Sequence, residues 1–486
     1  MKRKLTLSTS VLAAAALPAM SCQPAAETPD QKPDVLFIFV DDMTFDGLHI
    51  LGNPDVITPH LDGLLESGVR FTNCYNMGGW SGAVSTASRS QLVTGQYLWN
   101  TFAAKNEDKY RTLFENRDFW PQVMHDAGYK TYQTGKWHVS HYEPQELFDF
   151  AELVRPGMPK TVEKAYNRPT SEADEEWYPW DQSNGGYWDN GEHWSVILAD
   201  HAIQWLNDNK DSDQPLFMYC AFNAPHDPRQ SPKEYVDRYD VHQITVPESF
   251  IPEHPYAEVM GCGRTKRDER LAPFPRTEYA VQKHRQEYYA LITHLDDQVG
   301  RILDALKESG RADNTIIVFA ADNGLALGKQ GLMGKQSMYE HSVKVPMAFA
   351  GVGIPSGEVR DQMVYMQDLV PTLYDMLDID APESMQFSSQ KNVLLKDKAG
   401  RNDIYCAFQK EQRMIREGDW KLYFIMGAKK AFLYNLADDP QEMHDLLPEG
   451  GRYLKIARKL AKKYLPMAEE SGDTIDLRNI YPELFN

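Results

Sequence analysis

The stretch 34-DVLFIFVDD-42 decides how the rest of the chain is read. After Asp34 it is unbroken apolar sequence of strand length, which marks a strand buried on both faces of a sheet. Two carboxylates, Asp41 and Asp42, follow at once. Acids at the end of a buried strand are costly unless positive charge lies between them. In an open α/β sheet that end of the strand is where ligands bind. A hard divalent cation suits such oxygen ligands. A solvated turn is the competing reading, and it fits a lone acidic pair better than one that follows such a strand.

The same pattern recurs along the chain. Residues 314–321 (NTIIVFAA) read as a core strand ending in Asp322 and Asn323. An acid and an amide there, with Asp41 and Asp42 at another strand end, would make an all-oxygen cation site. Residues 215–222 (PLFMYCAF) form a further buried strand that delivers His226. Residues 129–134 lead into Gly135-Lys136-Trp137-His138, and the spacing of two sets Lys136 and His138 on one side of the chain. Between the strands lie helical patterns over 119–127 and 287–309. The second is the longest, with Leu291, Leu295, Val299, Ile302, Leu303 and Leu306 as its buried face. Strands alternating with helices, and candidate ligands at strand ends, indicate an α/β sandwich. Residues 413–425 and 430–436 read as an antiparallel hairpin, followed by a helix over 453–465.

Residues 81–97 (SGAVSTASRSQLVTGQY) begin flexibly and then read as a short helix. Ser85 is expected as its N-cap, with Arg89 one turn further on the same face. Leu92 and Val93 bury the opposite face, and Thr94-Gly95 ends it. An oxygen at a helix start with an arginine below it can hold an oxyanion. Plain capping explains the same pattern.

The chain has 486 residues, with 51 basic and 70 acidic side chains and a net charge of −19. That balance argues against nucleic acid or an anionic membrane surface as a general partner. An anionic substrate would have to be drawn by local cations. The five cysteines show no metal-binding spacing. Lys2, Arg3 and Lys4 precede a short apolar run ending in Ala19-Met20-Ser21-Cys22, a secretory signal too short to span a membrane. Its end resembles a bacterial lipobox, with Ala19 where leucine is usual. A lipoprotein anchored at Cys22 in the cell envelope, with a tether over 23–32, is therefore expected. Cleavage to a soluble periplasmic protein is the alternative. Residues 142–194 carry Trp177, Tyr178, Trp180, Tyr187, Trp188 and Trp194 among polar residues. They suit either stacking against sugar rings or anchoring a long loop to the core.

Ser85-Thr86-Ala87-Ser88-Arg89 with Thr94-Gly95 resembles the sulfatase signature C/S-x-P/A-x-R followed by T-G, in its serine form. Five further segments match sulfatase motifs in family order: the strand ending in Asp41-Asp42 with the run TPHLDGLLESGVRFTN, the GKWH at 135–138, Pro225-His226, Asp322-Asn323-Gly324, and Gly331-Leu332-Met333-Gly334-Lys335. The resemblance covers roughly residues 33–446. It implies an alkaline-phosphatase-like central mixed sheet flanked by helices, over 33–390, with a smaller C-terminal antiparallel sheet plus helix over 391–486. It also implies that Ser85 is converted to formylglycine by a serine-competent anaerobic maturating enzyme, and that the hydrated aldehyde attacks sulfur to give a covalent sulfoenzyme. One cation, calcium by preference and magnesium allowed, would be held by Asp41, Asp42, Ser85, Asp322 and Asn323. Arg89, Lys136 and Lys335 would add positive charge. His138 would deprotonate the intermediate and His226 would protonate the leaving group. Export favours a sulfated carbohydrate as substrate. A formylglycine-dependent phosphodiesterase or phosphonate hydrolase, and an unmodified glycan-binding protein, are the alternatives.

Overall fold

The computed structural model describes residues 32–486, so the expected leader, lipobox and most of the tether lie outside the described residues. The strand Asp34–Val40 is buried throughout and lies between Thr315–Ala321 and Leu216–Ala221, both parallel to it. The full order of the eight-stranded sheet is Glu358–Tyr365, Val69–Tyr75, Met347–Gly351, Thr315–Ala321, Asp34–Val40, Leu216–Ala221, Lys130–Lys136 and Val154–Arg155. Met347–Gly351 runs against both its neighbours, which makes the sheet mixed. Asp41, Asp42, Asp322 and Asn323 therefore leave adjacent parallel strands at the same edge. Residues 33–486 form one compact unit.

The long helix is Glu278–Glu308, capped by Thr277, whose side chain accepts from the Ala280 amide. It starts nine residues before the expected 287. Its first turns bury His284, Arg285, Gln286 and Glu287, each with a polar partner, as in the Arg168–Glu287 bridge at 2.5 Å. Polar burial of this kind leaves no trace in a hydrophobic period.

A second sheet runs Lys430–Asn435, Trp420–Ile425, Gln412–Glu417, Asp403–Phe408 and Gly78–Gly79, covered by the helix Gly451–Glu470. Residues 413–425 are thus two strands rather than the one expected, because the chain reverses at Gly418, whose φ is +56°. Gly78–Gly79 pairs in parallel with Ala407 and Phe408. A Cβ on Gly78 would stand 2.0 Å from the Ala407 carbonyl oxygen, so this approach requires glycine. The helix of residues 451–470 outruns its expected end and carries Pro466 within it.

The aromatic segment of residues 142–194 is an anchor at its best-buried points. Trp177 is 3% exposed beneath the Arg168 guanidinium, and Tyr187 is buried with its hydroxyl donating to the Asn223 carbonyl at 2.8 Å. Trp180 and Trp194 pack against the main core. Cys74, Cys220, Cys262 and Cys406 are buried and unpaired.

Two of the buried histidines show how the fold loses stability in acid. His193 Nδ1 accepts from the Ser195 amide at 3.1 Å, and His254 Nδ1 accepts from the Tyr256 amide at 3.1 Å. Protonating either nitrogen would set two donors face to face. Burial pushes His193 down to about 3 and His254 to about 4. The unfolded chain then binds more protons than the folded one below about pH 6.5, so stability is present at neutral pH and falls as pH drops. The expected loss reaches about 2.7 kcal/mol per pH unit from these two groups together. Urea unfolding at pH 7 and pH 4.5 checks this; equal midpoints would refute it.

Candidate active site

The signature helix spans Val84–Thr94, and Ala83 occupies the capping position. Ser85 is the second helical residue and does not cap the helix as expected. Its hydroxyl turns to the strand ends instead, donating to Asp41 Oδ1 at 3.0 Å and lying 3.3 Å from Asn323 Oδ1. The residue is 1% exposed. One turn on, the Arg89 Nε donates to Asp322 Oδ2 at 2.9 Å, and its guanidinium lies 4.5 Å from the Phe39 ring centre. Burial opposes that charge, but Asp322 and Asp41 raise the arginine above its ordinary range. Gly95 closes the helix in the left-handed conformation.

Asp42 sits just past its strand with φ +63°, in the left-handed region where a non-glycine residue is strained by about 1–2 kcal/mol. The turn is held by its amide donating to Asp322 Oδ1 at 3.1 Å and by Tyr288 donating to its carbonyl at 2.7 Å. It sets the second carboxylate beside the first. Oxygens of Asp41, Asp42 and Asp322 all lie within 4.8 Å of one another. Three buried cations face them. Lys136 pairs with Asp41, Lys335 forks Asp42 at 2.6 and 2.7 Å, and Arg89 takes Asp322. Burial and the Asp322 carboxylate push Asp41 well up, against the pull of Lys136. Burial opposes the charge on Lys335 as well, yet Asp42 holds it above the usual lysine range.

The donor set is three carboxylates, the Asn323 side-chain oxygen and the oxygen of residue 85. Such a set fits a hard cation such as calcium or magnesium and offers no soft or nitrogen ligand. His226 and Asp227 also approach Asp42 within the same radius. There Asp227 is also paired with Arg267, at 2.6 Å.

The two histidines enter by different routes. His226 Nδ1 lies 2.8 Å from the Asp227 carbonyl oxygen, and its Nε2 stands 3.5 Å from Asp42 Oδ2. His138 does not share a face with Lys136 as the spacing predicts, because the strand ends at Lys136 and His138 takes φ +58°. Its Nε2 lies 2.7 Å from Thr86 Oγ1. Burial, then the charges of Lys136 and Arg89, push its imidazole down to about 3. His138 is therefore neutral across the physiological range.

All ten expected residues converge on this one place. Ser85, His138, His226 and Lys335 line a cavity of about 520 Å³. Gln336, next to Lys335, lines it too, and so do Lys266, Arg267, Asp268 and Met158, to which no motif points. Arg267 bridges Asp227 and Asp268, so residues 246–277, which show little periodicity, supply one wall. Of the aromatic segment only Gly157 and Met158 reach the cavity.

A hydroxyl aimed at an all-oxygen cation cradle, ringed by buried lysines, an arginine and histidines, defines a hydrolase of anionic esters. The sequence matches the family model for sulfatase over residues 33–379. It also matches that for the C-terminal region of N-sulphoglucosamine sulphohydrolase over residues 328–470. The chain belongs to the sulfatase family and is a sulfuric ester hydrolase. An N-acetylglucosamine-6-O-sulfatase from Bacteroides thetaiotaomicron is 25% identical over 93% of this chain and 89% of its own length. A structure solved in complex with its substrate D-glucosamine-2-N,6-O-disulfate superposes with a TM-score of 0.70, at 20% identity, over 91% of this chain and 99% of that one. A phosphonate monoester hydrolase from Silicibacter pomeroyi superposes with a TM-score of 0.71 at 20% identity, over 91% of this chain and 96% of the other. Likeness of fold therefore does not separate sulfur from phosphorus chemistry.

Proposed function

We propose that this enzyme hydrolyses sulfate monoesters on a sulfated glycan or an oligosaccharide derived from one, with Ser85, oxidised to formylglycine, as nucleophile. The observation that carries the reading is the Ser85 hydroxyl, held 3.0 Å from Asp41 at the meeting point of three buried carboxylates and three buried cations. A calcium-class cation bound by Asp41, Asp42, Asp322, Asn323 and residue 85 would supply positive charge for the sulfuryl oxygens. Formylglycine, as its hydrate, would supply one hydroxyl to attack sulfur and a second whose deprotonation restores the aldehyde as sulfate leaves.

The chain's own groups do the rest. Arg89 and Lys136 hold the carboxylate frame, and Lys335 reaches into the cavity where the sulfuryl oxygens would sit. His226, whose Nδ1 donates to the Asp227 carbonyl, turns Nε2 to the cavity; burial and the Lys335 charge push its imidazole well down, so it would take up a proton at Nε2 before giving it to the departing sugar oxygen. His138, neutral and beside Thr86, is suited to take the proton from the second hydroxyl.

The glycan is inferred from the similar N-acetylglucosamine-6-O-sulfatase and from the secretory signal. Residues 1–22 would export the chain and Cys22 would anchor it by lipid. Oxidation of Ser85 would fall to a serine-competent anaerobic maturating enzyme. The phosphorus reading keeps its place because a phosphonate monoester hydrolase shares the fold.

One panel decides between the two: defined sulfated monosaccharides and oligosaccharides, a small aryl sulfate, a phosphate diester and a phosphonate monoester, compared by kcat/KM. The sulfated sugars are expected to lead. A better phosphorus ester would overturn the proposal. Run on fractionated cells, the same assay should find activity with the membranes, and Cys22→Ser should release it.

A further inference from the structure

We propose that a second sugar-binding subsite, built on Trp80 and Phe102, adjoins the catalytic cavity, so that the substrate is an oligosaccharide and not a lone sugar. The inference rests on the glycan reading above and adds where a neighbouring sugar unit binds. The subsite is a separate cavity of about 580 Å³, lined among others by Trp80, Trp99, Phe102, Lys105, Gln409 and Lys410.

Its surface has the chemistry of a sugar platform. The Trp80 and Phe102 rings stack with centres 5.5 Å apart and planes 21° apart. The Trp80 Nε1–H donates to Thr101 Oγ1 at 3.2 Å, which fixes the edge of the indole and leaves the ring half-buried. Phe102 is half-buried like Trp80 and belongs to neither large hydrophobic core among the described residues. With Trp80 it gives the cavity an aromatic wall, and aromatic rings suit the apolar face of a ligand. The apolar face of a pyranose suits such a surface, while the side-chain amides of Asn100 and Gln409 and the Thr474 hydroxyl at the rim offer partners for ring hydroxyls.

The charges fit a sulfated unit. The Lys105 Nζ stands 5.4 Å from the Phe102 ring centre. Among the described residues neither Lys105 nor Lys410 has a carboxylate within ion-pair distance, whereas Asp473 in the same cavity is taken by Arg413. Against these two ammonium groups without a carboxylate partner the wall sets one other acid, Glu411. On a chain of net charge −19 that local positive balance favours an anionic sugar.

The two cavities share one loop. Gly82 and Ala83 line the catalytic one and Trp80 lines the other. Three residues span at most about 11 Å, within the reach of a short oligosaccharide. On the far side, Lys266 of the catalytic cavity lies 5.8 Å from the Phe408 ring centre, and the next residue, Gln409, lines the subsite.

The test is steady-state kinetics of the mature enzyme on a sulfated monosaccharide, the matching tetrasaccharide and a small aryl sulfate. Phe102→Ala and the double variant Lys105→Glu/Lys410→Glu should each raise KM for the tetrasaccharide about tenfold. Kinetics on the monosaccharide and the aryl sulfate should stay near those of the parent. Trp80→Ala should act likewise, but it lies on the loop that carries Ser85, so the other two variants decide. Equal effects on all three substrates would reduce the rings to a brace for the loop and overturn the subsite. So would a parent KM that does not depend on chain length. If the aryl sulfate is turned over and no sulfated sugar is, the glycan reading falls and takes the subsite with it.

Discussion

Replacing Ser85 with alanine will lower turnover of every sulfate ester by roughly four orders of magnitude or more, the scale seen when a nucleophile is removed from a preorganised site. Folding should change by only about 1–2 kcal/mol, since one buried hydroxyl is lost and its acceptor Asp41 keeps Lys136. The parent enzyme, expressed beside a serine-competent maturase, should show residue 85 lighter by two hydrogens in peptide mass spectrometry. Without that maturase it should keep plain serine and be inactive. An active preparation in which residue 85 is unmodified would remove formylglycine from the mechanism.

Asp322→Ala is expected to cost more than a ligand. The same carboxylate accepts from the Arg89 Nε and from the Asp42 amide, and both side chains of the Arg89–Asp322 pair are wholly buried. Removing it strands a buried guanidinium, which costs about 3–5 kcal/mol in comparable cases. Bound calcium by elemental analysis, turnover, and the urea midpoint should therefore all fall together. Adding Arg89→Met removes the stranded charge and should return part of the stability with none of the metal. A variant that still binds one calcium per chain would show that Asp322 is no ligand, and an unchanged urea midpoint would show that the pair adds nothing to the fold.

What could be read from the chain was what local pattern encodes. Residues 34–42 announce a doubly buried strand and its carboxylates because apolar runs and acids are adjacent in sequence. Asp322, Lys136 and His226 were legible for the same reason. Arg267 and Asp268 were not, since their meaning arises only when a segment without period folds back on Asp227, forty residues upstream. The helix start favours Ser85 as a cap. Its hydroxyl left that use for a partner 44 positions away. The tryptophans near 177–194 show the converse limit. Composition reveals that aromatic rings are present, but only packing decides whether a face meets water or the Arg168 guanidinium.

The parallel pairing of Gly78–Gly79 with Ala407 and Phe408 carries a consequence in time. The strand that steadies the entry to the Ser85 helix is made about 320 residues after the serine itself. At about 5–20 residues per second a ribosome needs roughly 16–60 s to reach it. Until then the loop lacks its partner, and Ser85, only 1% exposed within its cavity once the fold closes, is still open to other proteins. If Ser85 is oxidised as proposed, the enzyme that does so would work within that interval, against a clock set by the length of the chain still to come.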